Sequence, residues 1–323
     1  MFSKVENKSQ WRSLLNRALF KTFFHTSEWE DFLEKEFSWI KFERYIWKDE
    51  LLLSVARCKL FGKEKIVSHP FCEYGGPLPL VESVEYASFE QDFVKKFGRN
   101  ARMRFHPKIK EGGGMDLSTF WIEDYSKKTV DELWRGLRKT FRQEIKNSEK
   151  LGVYIEDCQN EEELKRFYDL YFKTVKRHKN IPLPFSIFQF LFKDISNASI
   201  LLAKKDSKVL GGSIFLFYKP FIHYFLSASD YSVREYNTGH AILWSAIRGY
   251  KDREGYDYFD LGGTRRGSAL ETFKRGWGVR EYSIYEIGYY KRKSGASPLR
   301  NILGLLPGPI MTRMAKYALW LKI

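Results

Sequence analysis

The run from Tyr256 to Gly263 constrains the fold more than any other part of this sequence. It reads Tyr-Asp-Tyr-Phe-Asp-Leu-Gly-Gly, an apolar and aromatic stretch that ends in two glycines. Such a run predicts a buried strand that leaves its sheet through a turn needing the φ freedom of glycine. Further on, Phe273 anchors a short segment with one lysine, Lys274, that stops at Gly276. Turns of this kind bring backbone N–H groups and a cation to the end of a sheet, where open α/β folds tend to bind ligands.

Composition favours a folded, basic protein. The 323 residues are 43% hydrophobic, and domains average about 150 residues, so two packed domains are expected. Fifty-five Lys and Arg against 40 Asp and Glu leave a formal charge of +15. That charge favours polyanionic partners such as phosphorylated precursors, RNA or an anionic membrane surface, although a basic solvated surface is the simpler alternative.

Cysteine use and the first residues predict the compartment. The three cysteines, Cys58, Cys72 and Cys158, have no Cys-x-x-Cys spacing, which favours a reduced cytoplasmic location. The polar segment 1–10 lacks the apolar centre of a secretory signal, so a soluble cytoplasmic protein is expected. The six histidines are not spaced as metal ligands, and no metal is predicted.

The order of helical and strand-like patterns predicts an α/β (α+β) protein of two similar domains, each with a mixed, mostly antiparallel sheet flanked by helices. We place the first domain at 1–128 and the second at 153–291. Between them, Thr129 and Glu132 form a capping box that opens a long helix, 129–152, with a basic stripe along it. The segment 292–323 is a basic amphipathic tail.

Four motifs carry a resemblance to a known family. They are Gly75-Gly76-Pro77-Leu78; Arg138 to Lys146 with Lys150-Leu151-Gly152-Val153; Phe259-Asp260-Leu261-Gly262-Gly263; and Phe273-Lys274-Arg275-Gly276-Trp277. With these motifs, residues 20–291 resemble the tandem-GNAT proteins of the Fem family, the FemAB/FemX-like aminoacyltransferases that add amino acids to peptidoglycan precursors. The long helical-hairpin arm of some Fem ligases has no counterpart here. The resemblance implies an acyltransferase of two GNAT-like domains.

The Asp-Leu-Gly-Gly motif supplies the first candidate residues. Asp260 follows a strand, where a carboxylate can orient an amine or act as a base, or simply cap the next turn. Gly262 and Gly263 are candidates for contacting the acyl donor. The resemblance assigns Lys274 to the family's Phe-Lys motif, where a lysine suits binding of donor phosphate or polarisation of the transition state. A solvated lysine after a core Phe is the alternative.

The loop before residue 241 supplies further candidates. Gln or Arg commonly opens this loop in GNAT enzymes that use acyl-CoA, but here it begins with Tyr236. Arg234 is a candidate to replace the missing cation, and Asn237, Thr238 and Gly239 are candidate phosphate or donor contacts at a helix N-terminus, or plain capping residues. His240 lies in the first turn, where the helix dipole favours a neutral ring suited to accepting a proton; a surface histidine without a role is the alternative.

The predicted function is N-acyl transfer to an amine of a cell-envelope or polysaccharide precursor. No Ser-His-Asp or Cys-His arrangement is visible, which favours direct transfer without a covalent intermediate. No permanently bound cofactor is expected; the donor is charged tRNA or acyl-CoA. The acceptor is expected to be a phosphorylated or lipid-linked envelope precursor. The alternatives are an acyl-CoA-dependent GNAT N-acetyltransferase and a non-catalytic RNA- or membrane-binding protein on a GNAT scaffold.

The tail and the linking helix supply two candidate surfaces. The basic stripe of 129–152 suits a nucleotide-diphosphate acceptor or an acceptor-stem RNA, or a solvated helix face. In the tail, Ile310, Met314, Tyr317, Ala318 and Leu321 share one predicted helical face among basic residues. That pattern favours a helix lying on the inner, anionic face of the membrane, with docking on the protein core as the alternative.

Overall fold

Two main sheets organise the chain in a computed structural model, which describes residues 1–112, 117–193, 197–288, 314–321 and 323. The strands are β1 (Phe2–Lys4), β2 (Ile40–Trp47), β3 (Leu51–Leu60), β4 (Lys63–Val67), β5 (Leu78–Pro79), β6 (Met103–Arg104), β7 (Leu117–Ile122), β8 (Tyr154–Asp157), β9 (Ala198–Lys205), β10 (Lys208–Tyr218), β11 (Phe221–Ser229), β12 (Tyr258–Arg265), β13 (Arg280–Ser283) and β14 (Glu286–Ile287). The helices are α1 (Lys8–Arg17), α2 (Ser27–Glu36), α3 (Tyr86–Phe97), α4 (Val130–Gly136), α5 (Lys139–Lys150), α6 (Glu161–Arg177), α7 (Phe185–Lys193), α8 (Thr238–Gly249) and α9 (Ala269–Arg275). Short 3-10 turns occur at Phe23–His25, Tyr125–Lys127, Tyr231–Tyr236 and Leu319–Leu321.

The smaller sheet has the order β1-β2-β3-β4, with β5 also paired to β3, and all of its pairs are antiparallel. Helix α3 packs Phe89, Phe93 and Phe97 against Trp47 of this sheet. Residues of α2 such as Trp29 join a second core cluster, which also contains residues of α6, α7 and β10. Because that cluster draws on both halves of the chain, the halves share buried apolar surface.

The larger sheet has the order β13-β7-β12-β11-β10-β9-β8. Its neighbours pair antiparallel except β11 and β12, which are parallel and are connected through α8. Alternation along the strands gives the sheet two buried faces: one packs against α5 and α8, the other against α6 and α7. The predicted fold class, an α/β protein with two mostly antiparallel sheets flanked by helices, is confirmed, and only the larger sheet contains a parallel pair of strands.

Strands from each half cross into the other. Strand β7 belongs to the larger sheet although its residues precede the predicted boundary at 128. Strand β14, near the end of the second half, pairs with β6 of the first. The two halves are therefore interlocked by their strands as well as by shared core residues.

The linking helix differs from the single helix predicted over 129–152. The capping box at Thr129 forms as predicted, but α4 ends at Gly136 and α5 begins at Lys139. The backbone N–H of Arg138 donates instead to the carbonyl of Gly276, 2.9 Å away. At the break Gly278 approaches the carbonyl of Gly136 so closely that a Cβ on Gly278 would lie 3.1 Å from that oxygen. Tertiary contact with a distant segment thus overrides the local helical preference.

The described part of the tail docks on the smaller sheet. Residues 314–318 are helical, and the following Trp320 is buried, its indole N–H donating to the carbonyl of Cys58 at 2.9 Å. The Lys65 ammonium donates to the carbonyl of Trp320 at 2.8 Å, and Lys316 pairs with Glu36 at 2.7 Å. Ala318 is buried whereas Met314 and Tyr317 are exposed, so the face predicted to be apolar is divided. Ile310 lies outside the described residues.

None of the helices in the described ranges is both long and apolar enough to cross a bilayer.

Candidate active site

The candidate site begins where β11 and β12 part. Their parallel pairing covers only Phe221–His223 against Tyr258–Asp260, although both strands continue beyond it. His223 and Asp260 therefore form the last pair before the sheet opens. Residues of the first half, including Phe24 and Tyr74, contact these two side chains from the face of the sheet.

The Asp260 carboxylate lies at the centre of a buried hydrogen-bond cluster. It accepts hydrogen bonds from Thr119 Oγ1 at 2.9 Å, from the Gly262 N–H at 2.7 Å and from the Tyr74 hydroxyl. His223 Nδ1 lies 2.8 Å from it. Burial opposes ionisation, but the charge of His223 and the hydrogen bonds from His223, Tyr74 and Gly262 together outweigh it and lower the pKa of Asp260 below its ordinary value. Asp260 is therefore an ionised, fully partnered anchor.

His223 joins this anchor to a second carboxylate. Its Nε2 lies 3.3 Å from Oε2 of Glu73, and the Glu73 side chain is 24% exposed. Burial alone would lower the pKa of His223, yet the two carboxylates raise it to about 10. Burial opposes ionisation of Glu73 as well, but the charge and hydrogen bond of His223 together with the charge of Lys274 lower the pKa of Glu73 below its ordinary value. The triad Glu73-His223-Asp260 therefore carries a protonated histidine between two carboxylates. Of the three side chains, Glu73 is the most accessible to solvent.

Lys274 lies on the other side of the Gly-Gly turn. The side chain is buried on α9, and its ammonium donates to the carbonyls of Gly262 at 2.8 Å and Gly263 at 3.0 Å. Burial lowers the pKa of Lys274 to about 8 despite the nearby Glu73 and Asp260. An ammonium has three N–H groups, and two of them have hydrogen-bond partners among the described residues, which leaves the third for a substrate oxygen.

The two glycines of the turn have separate roles. Gly262 has a φ of +73°, which other residues rarely adopt. A Cβ at Gly263 would lie 2.6 Å from Cγ of Glu73, so only glycine leaves room for that carboxylate. Lys274 and Glu73 thus both contact the turn, Lys274 through its two carbonyls and Glu73 through the space beside Gly263.

Four of the predicted site residues meet here: Asp260, Gly262, Gly263 and Lys274. Sequence reasoning missed Glu73 and His223. Glu73 lies just before the Gly75-Gly76-Pro77 turn, which was a recognisable signal, whereas His223 stands inside an ordinary strand pattern and offered none.

His240 is placed near this site but inside an aromatic cluster. Its ring lies against Phe141, Phe273 and Trp277, with centroid separations of 4.5, 5.1 and 5.9 Å. Burial lowers the pKa of His240 to about 4, so the ring is neutral at pH 7. Its Nε2 lies 3.0 Å from Oε2 of Glu144, and its ring neighbour Phe273 directly precedes Lys274 in the sequence.

The remaining candidates surround the N-terminus of α8. Asn237 occupies the N-cap without a side-chain capping bond, and a Cβ on Gly239 would meet nothing within 4 Å. Thr238 is buried instead and turns toward Gly211. Arg234 donates to the hydroxyl of Tyr231 at 3.0 Å. Within the described residues no hydrogen bond or ion pair connects this group to Lys274.

These features define a class of protein. A mostly antiparallel sheet whose one parallel pair of strands, β11 and β12, parts beyond its helical crossover has the arrangement of the GNAT acyltransferase fold. Residues 135–275 match the model of the acetyltransferase (GNAT) domain family. No curated protein matches the sequence significantly.

Solved structures extend the likeness to nearly the whole chain. FemX is similar with a TM-score of 0.63 and 14% identity, covering 94% of this chain and 100% of that one. The C-terminal domain of a putative lysylphosphatidylglycerol synthetase from Agrobacterium fabrum has a TM-score of 0.52 and 12% identity, covering 85% and 91%. A tandem GNAT protein from the clavulanic acid biosynthesis pathway has a TM-score of 0.51 and 9% identity, covering 88% and 97%. The Fem resemblance is confirmed for the fold.

Proposed function

We propose that this protein transfers an aminoacyl group from charged tRNA directly to an amine of a cell-envelope or polysaccharide precursor. The observation that carries the proposal is the buried lysine Lys274, whose ammonium binds the Gly262-Gly263 turn while Glu73 packs against the same turn. A cation with one unused donor on one side and a carboxylate on the other suits an acyl carbonyl and an amine, respectively.

The proposed reaction is a single displacement at the acyl carbon. The amine nitrogen forms a bond to the carbonyl carbon, and the carbonyl oxygen takes the negative charge, which the third N–H of Lys274 stabilises. Collapse of this intermediate breaks the bond to the ribose oxygen of the tRNA. The proton lost by the amine goes to that oxygen.

Glu73 has the second role. Its partly exposed side chain accepts a hydrogen bond from the incoming amine and orients the nitrogen lone pair toward the acyl carbon. Since its pKa is lowered, Glu73 binds and positions the amine rather than acting as a strong base. His223 and Asp260 are positioning residues that hold the Glu73 carboxylate.

A row of cations supports the RNA donor. Five exposed side chains on and around α4 and α5 have no ion-pair partner within the described residues: Arg135, Arg138, Lys139, Lys146 and Lys150. The row leads to the site, because the backbone of Arg138 is bonded to Gly276, two residues after Lys274. Its charges match a phosphate backbone whose acyl end reaches Lys274.

The likeness to FemX agrees with an aminoacyl donor through the Fem resemblance, and the likeness to the domain of a putative lysylphosphatidylglycerol synthetase, whose name gives a lipid product, supports a lipid-linked acceptor. Location at the inner face of the membrane would follow from such an acceptor.

Acyl-CoA is the second candidate donor. The uncapped N-terminus of α8 at Asn237, with open space at Gly239, suits a phosphate of CoA. The match of residues 135–275 to an acetyltransferase family supports it further. The chemistry at Lys274 would be the same, with a thiolate as the leaving group.

The test supplies radiolabelled aminoacyl-tRNA or acyl-CoA with an extract of lipid-linked and nucleotide-linked envelope precursors. We expect label to pass from tRNA to a precursor amine. Lys274→Met keeps the buried volume and removes the charge, and we expect it to lower kcat/KM about 100- to 1000-fold. Arg275→Ala is the matched control, because that neighbouring cation is half exposed and pairs outside the site.

If label passes from acyl-CoA alone, the donor is acyl-CoA and not charged tRNA. Transfer from neither donor, or equal rates for Lys274→Met and wild type, would refute it.

A further inference from the structure

The β3–β4 hairpin ends in a residue that folding does not explain. Its two turn residues, Phe61 and Gly62, have φ values of 50° and 71°. Turns with two positive φ values favour Asn followed by Gly, because a bulky side chain disfavours the left-handed conformation. Phe61 is also 83% exposed, and within the described residues only Met1 exposes more of a large apolar side chain. Phe61 joins none of the core clusters of the described residues.

Cations flank this aromatic tip. Lys59 and Lys63 stand on either side of it and are exposed. The nearby acid, Glu64, is paired at 3.1 Å with Arg57, and in the part of the chain that the structure describes neither lysine has an ion-pair partner. The tip therefore presents an apolar ring between two exposed lysines.

The C-terminal helix adds apolar surface at the same end of the sheet. The backbone carbonyl of Trp39 accepts a hydrogen bond from the Lys59 N–H at 2.8 Å, and its indole N–H donates to the carbonyl of Lys316 at 2.9 Å. Trp320 is bonded to Cys58, so the helix crosses the sheet two or three residues from the tip. On its outer face Met314 is 44% and Tyr317 54% exposed.

We propose that this hairpin tip surface, formed by Phe61, Lys59, Lys63, Met314 and Tyr317, binds an anionic lipid bilayer. Phe61 would enter the acyl boundary while the lysines contact headgroup phosphates, and Tyr317 suits the interface because its ring is apolar and its hydroxyl polar. The net charge of +15 adds long-range attraction to an anionic leaflet. The inference concerns membrane attachment and does not depend on the acyl-transfer reaction.

An exposed aromatic between cations fits a bilayer better than RNA. A single ring at a hairpin tip offers no row of stacking partners for successive bases, whereas a membrane takes up one projecting side chain. RNA binding at the tip is thus the competing outcome of the test.

Sedimentation of the full chain with vesicles tests the proposal. The probes are phosphatidylcholine vesicles with and without 30 mol% phosphatidylglycerol, about one lipid in three so that the surface is clearly anionic. We expect binding only to the anionic vesicles. Phe61→Asn removes the ring but suits the turn, so we expect about tenfold weaker binding with an equal or higher Tm. Lost binding in this variant cannot then be attributed to unfolding.

Further variants separate the apolar and ionic contributions. Lys63→Gln should weaken vesicle binding about fivefold at low salt and less at high salt. Tyr154→Ser is the matched control, because Tyr154 is 43% exposed on the far edge strand of the larger sheet. Equal vesicle binding by Phe61→Asn and wild type would overturn the proposal. So would absence of binding by the wild type, or loss of RNA binding rather than vesicle binding in Phe61→Asn.

Discussion

His223 and Asp260 are both the last residue pair of the parallel β11–β12 ladder and a buried ion pair, with Nδ1 2.8 Å from the carboxylate. This one contact lies where β11 and β12 part, and it keeps His223 protonated and Asp260 ionised there. Because the partner groups are buried, their energetics should be visible in the stability of the whole chain.

His223→Gln should make stability less dependent on pH. The folded pKa of His223 is about 10 against an ordinary 6.5, so its contribution is fully present below pH 6.5 and is lost as pH rises through 10. We expect the variant to lose about 3 kcal/mol of unfolding free energy at pH 6, since it leaves buried carboxylates without their cation. The difference from wild type should shrink toward pH 10 in urea unfolding. A constant difference would show that His223 is not charged in the folded state.

The kcat/KM of the enzyme should depend on the ionisation of Lys274, and in the direction opposite to that expected for a general base. If its ammonium stabilises the oxyanion, kcat/KM falls as pH rises through about 8, the pKa of Lys274 in the fold. Lys274→Met should retain low activity without that decline. A rise in kcat/KM through pH 8 would instead show that the neutral amine is the working form.

Gly263→Ala should impair activity more than stability. The added Cβ would lie 2.6 Å from Cγ of Glu73, a side chain that can turn away but then leaves the opening. We expect kcat/KM to fall about tenfold or more, because displacement by about 1 Å is enough to misplace a reacting group. Gly249→Ala is the control: its Cβ meets nothing within 4 Å on α8, so it should raise stability by about 0.5–1 kcal/mol and leave activity unchanged.

Sequence reasoning found the part of the site that is local in the chain. Asp260, Gly262 and Gly263 stand in one motif, and Lys274 follows it closely enough for α9 to fold back on the turn. These four residues could therefore be grouped from the sequence without any contact between distant parts of the chain.

The missed parts depend on tertiary packing. Glu73 reaches His223 only because the first half packs on the larger sheet, and no local pattern encodes that meeting. The break between α4 and α5 has the same origin, since the carbonyl of Gly276 takes the N–H of Arg138. The tail is a third example. Its basic and apolar pattern suited either a membrane surface or the protein core, and only the contact of Trp320 with Cys58 shows that this residue docks on the core.

Trp320→Ala should test whether the docked tail stabilises the first half. The indole is 7% exposed, donates to Cys58 and lies under the Lys65 ammonium at 4.1 Å, so its removal leaves a cavity and removes both contacts. We expect a loss of about 3 kcal/mol in unfolding free energy. Tyr317→Ala on the same segment is 54% exposed and should change stability by less than about 0.5 kcal/mol. If both variants unfold like wild type in urea, the tail contributes nothing to the stability of the fold. If only Trp320→Ala is destabilised, the C-terminal segment is a structural part of the first half and links it to the second.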